Sequence, residues 1–172
     1  MPKNPISQPL RRVALVALAL AGGWLLAGGQ GALMAAGLML LALISWVDWQ
    51  RWVIPNALLI PGVALILALR AWFAPQSLPT AMAGAMLGWG VFWLLARLAD
   101  GDLGGGDVRL AGFIGLLTGV DWVIPALLAG MLVGGVIAFG LTRFGRAQMD
   151  DGFPYGPALS LGAAAILILM MV

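Results

Sequence analysis

Residues 78–98, LPTAMAGAMLGWGVFWLLARL, decide the fold. The stretch has a single charged residue, Arg97, near its end. At a helical rise of 1.5 Å per residue, it is long enough to cross the roughly 30 Å of hydrocarbon in a bilayer. Similar apolar runs lie at about 13–29, 31–47, 57–73, 108–120, 122–142 and 156–172. The pattern predicts an all-α, polytopic membrane helix bundle with about seven transmembrane helices.

The composition also indicates a membrane protein. The 172 residues are 62% hydrophobic and 9% charged, whereas a soluble domain has about 25% charged residues. The basic residues are scattered singly or in pairs between apolar runs, so the net charge of +2 does not indicate nucleic-acid binding. No repeat or composition shift divides the chain. We therefore expect one membrane-embedded domain over 1–172, with the bilayer as its solvent.

The first apolar run has two interpretations. A basic start with Lys3, Arg11 and Arg12, followed by an apolar core, is typical of a secretory signal peptide. The apolar stretch continues through Trp24 without a clean cleavage signal, which favours a retained helix. Residues 1–30 are therefore expected to form an extra N-terminal helix.

The distribution of basic residues predicts the orientation. If the N-terminus is cytoplasmic and seven helices alternate, every Lys and Arg except Arg70 falls on the cytoplasmic side. Arg70 is then expected to reach the outer interface with its long side chain. The same count favours a membrane-spanning 108–120 run, with a thinned bilayer or a water-filled notch at its cytoplasmic end.

Glycines spaced four residues apart predict close helix packing. Three such pairs occur, and small residues at this spacing allow helix backbones to approach one another. The pairs are Gly84 with Gly88, Gly115 with Gly119, and Gly130 with Gly134.

The residue types that are missing narrow the chemistry. The chain has no Cys and no His, and all of its acidic residues are Asp. Thiol nucleophiles, Ser-His catalysis and H-E-x-x-H metal sites are therefore excluded. A Ser-Lys dyad would need Lys3, the only lysine, in the N-terminal tail. Any acid–base chemistry falls to Asp, and we expect no metal and no cofactor.

Two aspartates stand apart from the other five. Asp48 ends one apolar run and Asp107 opens another, and the predicted topology places both on the cytoplasmic side. Ionisable groups at membrane depth are costly and often functional, although a single Asp at a helix start is also typical of an ordinary helix-dipole contact. A pair of carboxylates on separate helices is what aspartic proteolysis requires. Close like charges cannot both ionise, so one acts as base and the other as acid.

A glycine run precedes Asp107. Gly104, Gly105 and Gly106 have no side chains that would block an extended substrate, and they permit backbone angles closed to other residues. A flexible linker between helices is the alternative interpretation.

Three segments together resemble the prepilin peptidase (type IV leader peptidase) family of GxGD-type intramembrane aspartic peptidases. DWQRWVIPN at 48–56 is similar to the first family motif, GGGDVRL at 104–110 to the GxGD motif, and FPYGPA at 153–158 to the segment that opens the last helix. The resemblance covers about 31–172, as a six-helix core. It implies that Asp48 and Asp107 are the catalytic pair, and that Pro55, Gly156 and Pro157 shape the site with the three glycines.

The resemblance also implies a substrate and a location. The expected activity is cleavage of the short basic leader of a prepilin-like membrane protein at the cytoplasmic face of the inner membrane, in type IV pilus assembly or secretion. Asp100, Asp102, Asp150 and Asp151 are candidates for attracting that leader, or are solvated loop charges. The chain is most similar to short, peptidase-only members, because it lacks the Cys-containing cytoplasmic region of the bifunctional enzymes. N-methyltransferase activity is therefore not expected.

Two functions of other classes remain open. A proton-coupled transporter would use the two aspartates as a relay, although such transporters tend to have inverted repeats and broken helices at mid-membrane. A non-catalytic subunit of a pilus or secretion assembly would retain the motifs without activity. The sequence does not indicate the oligomeric state.

Overall fold

The computed structural model describes residues 29–99, 103–143 and 155–170. Six α-helices run through them and follow the apolar runs of the sequence. They are α1 (Gly29–Arg51), α2 (Asn56–Phe73), α3 (Leu78–Leu98), α4 (Gly105–Thr118), α5 (Val120–Arg143) and α6 (Tyr155–Leu169). A 3₁₀ turn at Pro75–Ser77 joins α2 to α3. The all-α prediction is confirmed. Of the extra helix predicted within residues 1–30, all but the last two residues lie outside the described part, and those two begin α1. The number of seven therefore stays a prediction.

Four of the described helices are long and apolar enough to cross a membrane: Gly29–Arg51, Asn56–Phe73, Pro75–Leu98 and Val120–Gly140. Their outward faces carry large apolar side chains. Trp72, Met86 and Leu132 are exposed to 82%, 74% and 70%. A surface this apolar suits lipid rather than water. The protein is therefore a polytopic membrane helix bundle.

The shortest segment of the predicted core, α4, lies at its centre. The helix has 14 residues, so it is about 21 Å long. It packs against α2, α3, α5 and α6, and Leu110, Ile114 and Leu117 on it are almost completely buried. Protein rather than lipid surrounds most of α4, which accounts for a length below that of a lipid-facing span.

The start of α4 differs from the prediction. The helix begins at Gly105, so Gly105 and Gly106 belong to its first turn instead of a loop, and only Gly104 precedes it in extended conformation. Glycine is a poor helix former, and for this reason the sequence pattern suggested a later start. Packing of Ile54 against the first turn, where a Cβ on Gly106 would lie 3.1 Å from the Ile54 Cβ, outweighs that preference.

The spaced glycines lie where helix backbones meet. A Cβ on Gly84 of α3 would come 2.5 Å from the backbone oxygen of Gly115 on α4, and one on Gly130 of α5 would come 2.7 Å from the Cα of Leu159 on α6. Neither gap accommodates a methyl group. The prediction of close packing at these glycines is confirmed.

We expect Gly84→Ala to destabilise the bundle by about 1–3 kcal/mol, because the added methyl group forces α3 away from α4. Gly90→Ala is the matched control on the same helix. A Cβ there has no atom within 4 Å, and Ala stabilises a helix by roughly 0.5–1 kcal/mol over Gly. Thermal unfolding in detergent micelles measures both. An unchanged melting temperature for Gly84→Ala would contradict the close approach.

The prediction that Arg70 reaches the outer interface is wrong. Its side chain is only 8% exposed. The guanidinium donates one hydrogen bond to Ser77 Oγ and one to the Leu117 carbonyl oxygen, each at 2.8 Å. The last carbonyls of a helix have no partner within the helix and carry partial negative charge. The Arg70 side chain is buried because its guanidinium donates a hydrogen bond to one of the last carbonyl oxygens of α4.

Candidate active site

Asp48 lies in the last turn of α1 and points into the bundle. Its side chain is 4% exposed. One carboxylate oxygen, Oδ2, accepts a hydrogen bond of 3.1 Å from the backbone N–H of Gly156, the second residue of α6. Free N–H groups at a helix start stabilise a negative charge. The first turn of α6 therefore fixes the position of this carboxylate.

Gly156 also lies very close to the Asp48 side chain. A Cβ at this position would lie 2.5 Å from Asp48 Oδ2 and 3.0 Å from its Cγ. At these distances any side chain at position 156 would force the Asp48 carboxylate to move from its observed position.

Asp107 lies in the first turn of α4. It is half-buried, and its backbone N–H donates to the Gly104 carbonyl oxygen at 3.0 Å. A Cβ on Gly104 would lie 3.2 Å from Asp107 Oδ2, so a larger residue would crowd the carboxylate. The absence of a side chain on Gly104 thus leaves space beside the Asp107 carboxylate.

The two carboxylates lie close enough for the charge of Asp48 to act on Asp107. They come from the end of α1 and the start of α4, and the start of α6 completes the group. The side chain of Tyr155, the residue before Gly156, is also within electrostatic range of Asp107. Two neighbouring carboxyl groups cannot both ionise readily, so the arrangement supplies a base and an acid side by side.

A short linker joins the two aspartate segments. Residues 52–55 connect α1 to α2, and within the linker Ile54 is buried against Gly106 in the first turn of α4. Directly after it, Asn56 Oδ1 accepts a hydrogen bond of 2.8 Å from Arg109 Nη1. The chain that leaves Asp48 is thereby attached to the helix that carries Asp107.

The other predicted site residues lie around this group. Pro55 ends the linker, and its carbonyl oxygen accepts the Leu59 N–H at 3.2 Å. Pro157 lies half-buried in the first turn of α6, where a missing N–H costs nothing. A Cβ on Gly105 would have no neighbour within 4 Å, so this glycine faces open space. The acidic candidates at 100, 102, 150 and 151 lie outside the described residues.

Sequence reasoning missed two features of the site. Tyr155 was quoted only as part of a motif, although it is the single tyrosine of the chain and directly precedes Gly156. The bond between Asn56 and Arg109 was not anticipated, because residues 53 positions apart cannot be paired from one sequence. One hint of this bond was present in the sequence: Asn56 lies in the motif that carries Asp48, and Arg109 lies in the motif that carries Asp107.

The chain is similar to known proteins over most of its length. The model of the type IV leader peptidase family matches residues 35–139, a range that includes both aspartates. A prepilin leader peptidase/N-methyltransferase of Burkholderia pseudomallei (strain 1026b) is 32% identical over 174 residues, which cover 96% of this chain and 56% of the relative. Proteins of the same description from Pseudomonas putida and Bacillus subtilis (strain 168) are 29% and 27% identical, over 94% and 72% of this chain.

The similarity covers only part of each relative. The chain spans just over half the length of the first two relatives, and the alignment with the Bacillus subtilis protein covers 50% of that relative. No solved structure matches significantly. The family model nevertheless covers more than half of this chain and contains both aspartate motifs. The chain belongs to the type IV leader peptidase family.

Proposed function

We propose that this chain is a membrane aspartic endopeptidase that removes the leader of a prepilin-like protein, with Asp48 and Asp107 as its catalytic pair. One observation carries the proposal: a buried carboxylate at the end of α1 and a half-buried one at the start of α4 lie within electrostatic range of each other. Family membership supports the peptidase activity, because relatives at 27–32% identity are described as prepilin leader peptidase/N-methyltransferases.

The proposed chemistry follows from the pair. The ionised carboxylate takes a proton from a water molecule, whose oxygen attacks the carbonyl carbon of the scissile peptide. The protonated carboxyl group donates its proton to the carbonyl oxygen, which gives a tetrahedral diol. As the diol collapses, one of its hydroxyl groups gives its proton to the carboxylate that protonated the carbonyl oxygen, and the C=O bond reforms. The C–N bond breaks, and the departing amine takes a proton from the carboxyl group that received it from water, so both aspartates return to their starting states. The Gly156 N–H steadies Asp48 throughout.

The proposed substrate enters as a membrane helix with a short basic leader at the cytoplasmic face of the inner membrane. The site fits such a substrate because it is built from helix ends. Asp48 lies in the last turn of α1, and Asp107 and Gly156 lie in the first turns of α4 and α6. A peptide bond just outside an apolar helix lies at this level of the membrane. A transporter relay is less well supported, because none of the relatives named above is described as a transporter.

The proposed orientation places this site in the cytoplasm. Single cysteines in a chain without Cys give the test, and the structure selects the positions. Val53, 62% exposed, lies beside the site, and Gln76 is exposed at the opposite end of α2. Ser77 is unsuitable because Arg70 donates to it. We expect an impermeant maleimide added outside to label Gln76→Cys and to spare Val53→Cys until the membrane is opened. The reverse pattern would overturn the orientation.

We propose that this chain cleaves without methylating the new N-terminus. The linker at 52–55, which follows Asp48, has only four residues and packs against α4 through Ile54, so we do not expect it to hold a methyl donor. Mass spectrometry of a prepilin-like substrate incubated with the purified chain and S-adenosylmethionine tests both parts. The expected product is the mature protein with an unmodified N-terminus. A product heavier by one methyl group would refute the second part, and an uncut substrate would favour a non-catalytic assembly subunit.

A further inference from the structure

Asn56 and Arg109 form a hydrogen bond between the two segments that carry the aspartates. Arg109 lies two residues after Asp107 on α4, and Asn56 is the first residue of α2, just beyond the linker that starts near Asp48. The Nη1 atom of Arg109 donates to Asn56 Oδ1 at 2.8 Å. Both residues are exposed, and an exposed hydrogen bond contributes little to folding. We therefore expect the bond to affect the position of the linker relative to α4 more than the stability of the whole bundle.

The bond completes a series of contacts that links the segments of the two carboxylates. From Asp48 the chain leaves α1, passes Ile54, which packs on Gly106, and reaches Asn56, which binds Arg109. Arg109 and Gly106 flank Asp107 on the same helix. A shift of the first turn of α4 away from the linker would therefore disturb both contacts.

The linker itself has an unfavourable conformation. Trp52 has a φ of 56°, in the left-handed region that residues with a Cβ rarely adopt. Its N–H donates to the Asp48 carbonyl oxygen at 2.8 Å, but its side chain is 58% exposed and so does little to hold the turn. The attachment of Ile54 and Asn56 to α4 is what keeps the linker in place.

We infer that Asn56 and Arg109 are positioning residues, and that the bond between them sets the separation of the Asp48 and Asp107 carboxylates and thereby the rate of the chemical step. This inference rests on the proposed function of the two aspartates. Arg109 acts through Asn56 and the linker, and it does not need to touch the substrate.

Steady-state kinetics of leader cleavage test the inference with the purified chain in lipid vesicles. We expect Asn56→Ala and Arg109→Ala each to lower kcat by about 10-fold to 100-fold with KM unchanged, because small displacements of reacting groups cost rates of this size. The double variant should be no slower than either single one, because both remove the same bond. Asn56→Asp should recover most of kcat, since a carboxylate oxygen accepts the same bond. Arg97→Ala is the matched control, an exposed arginine whose guanidinium lies over the Trp93 ring, and it should keep the wild-type kcat.

A second measurement needs no activity. Spin labels at Gln50→Cys, exposed on the last turn of α1, and at Gly105→Cys, where the first turn of α4 has open space, report the separation of the two helix ends. We expect Asn56→Ala to broaden the distance distribution and Asn56→Asp to leave it narrow.

An unchanged distribution with Asn56→Ala would overturn the inference. So would a raised KM at constant kcat for Arg109→Ala, which would make Arg109 a substrate contact. Cleavage that persists in Asp107→Asn would defeat the proposed function instead, and the spin-label result stands apart from it.

Discussion

Asp48→Asn and Asp107→Asn are each expected to reduce leader cleavage by on the order of 10⁴-fold without loss of the fold. Asn has nearly the size of Asp and keeps an oxygen that accepts the Gly156 N–H at position 48, but it neither takes a proton from water nor delivers one. Because the two groups act as a unit, the double variant is expected to be no slower than either single one. Cleavage of a purified prepilin-like substrate, normalised to folded protein, measures all three.

Asp121→Asn is the matched control for these variants. Asp121 is exposed and lies in the first turn of α5, after the far end of α4 from Asp107. Its substitution should leave turnover unchanged. Substantial activity in Asp48→Asn or Asp107→Asn would refute the pair, and rates that fall multiplicatively in the double variant would show that the two residues act independently.

Gly156→Ala has the second largest expected effect, a loss of turnover of about 100-fold or more. The new Cβ would lie 2.5 Å from Asp48 Oδ2, so the carboxylate must leave its position on the start of α6. A displacement of about 1 Å at a reacting group costs rates of this size. Gly156→Val should cost more, because its branched side chain extends further into the same space. Turnover and circular dichroism of the purified variants separate lost activity from lost structure.

Gly135→Ala on α5 is the control for the glycine effect. A Cβ at position 135 has no atom within 4 Å, so the same substitution adds a methyl group without a clash. Its activity should match the wild type, and its stability should be equal or higher by roughly 0.5–1 kcal/mol, the preference of a helix for Ala over Gly. Wild-type turnover in Gly156→Ala would show that Asp48 does not depend on close contact with α6.

The helices and their packing followed from simple features of the sequence. Apolar runs located the six described helices, since a chain in lipid must satisfy its backbone polar groups within helices. The spaced glycines located close helix contacts, and the absence of room for a Cβ at Gly84 and Gly130 confirms them. Both features are local and repeat along one chain, so no partner segment has to be known in advance.

The features that the sequence did not reveal depend on tertiary contacts. The early start of α4 depends on Ile54 packing onto Gly106, and the burial of Arg70 depends on the Leu117 carbonyl oxygen at the end of α4. Neither partner can be chosen from spacing alone, because each lies on another helix or beyond a linker.

The sequence suggested the two aspartates as a catalytic pair, which stays a prediction, but it did not suggest the contacts that surround them. Asp48 and Asp107 were singled out by charge at the ends of apolar runs, and the structure places them within electrostatic range. The Gly156 N–H that holds Asp48 comes from a helix 108 residues away in sequence. Its glycine was visible in the sequence, but the reason for it, the close approach of a carboxylate, was not.

In the proposed mechanism, water activated by the two aspartates attacks the substrate, and no covalent intermediate forms. Single-turnover cleavage in ¹⁸O-water with added hydroxylamine tests it directly, with mass spectrometry of the released leader. The proposed mechanism predicts one ¹⁸O atom in the new carboxyl group of the leader and no leader hydroxamate. A hydroxamate would contradict it, because it would reveal an acyl-enzyme formed on a side-chain nucleophile such as Ser160, buried one turn along α6 from Gly156.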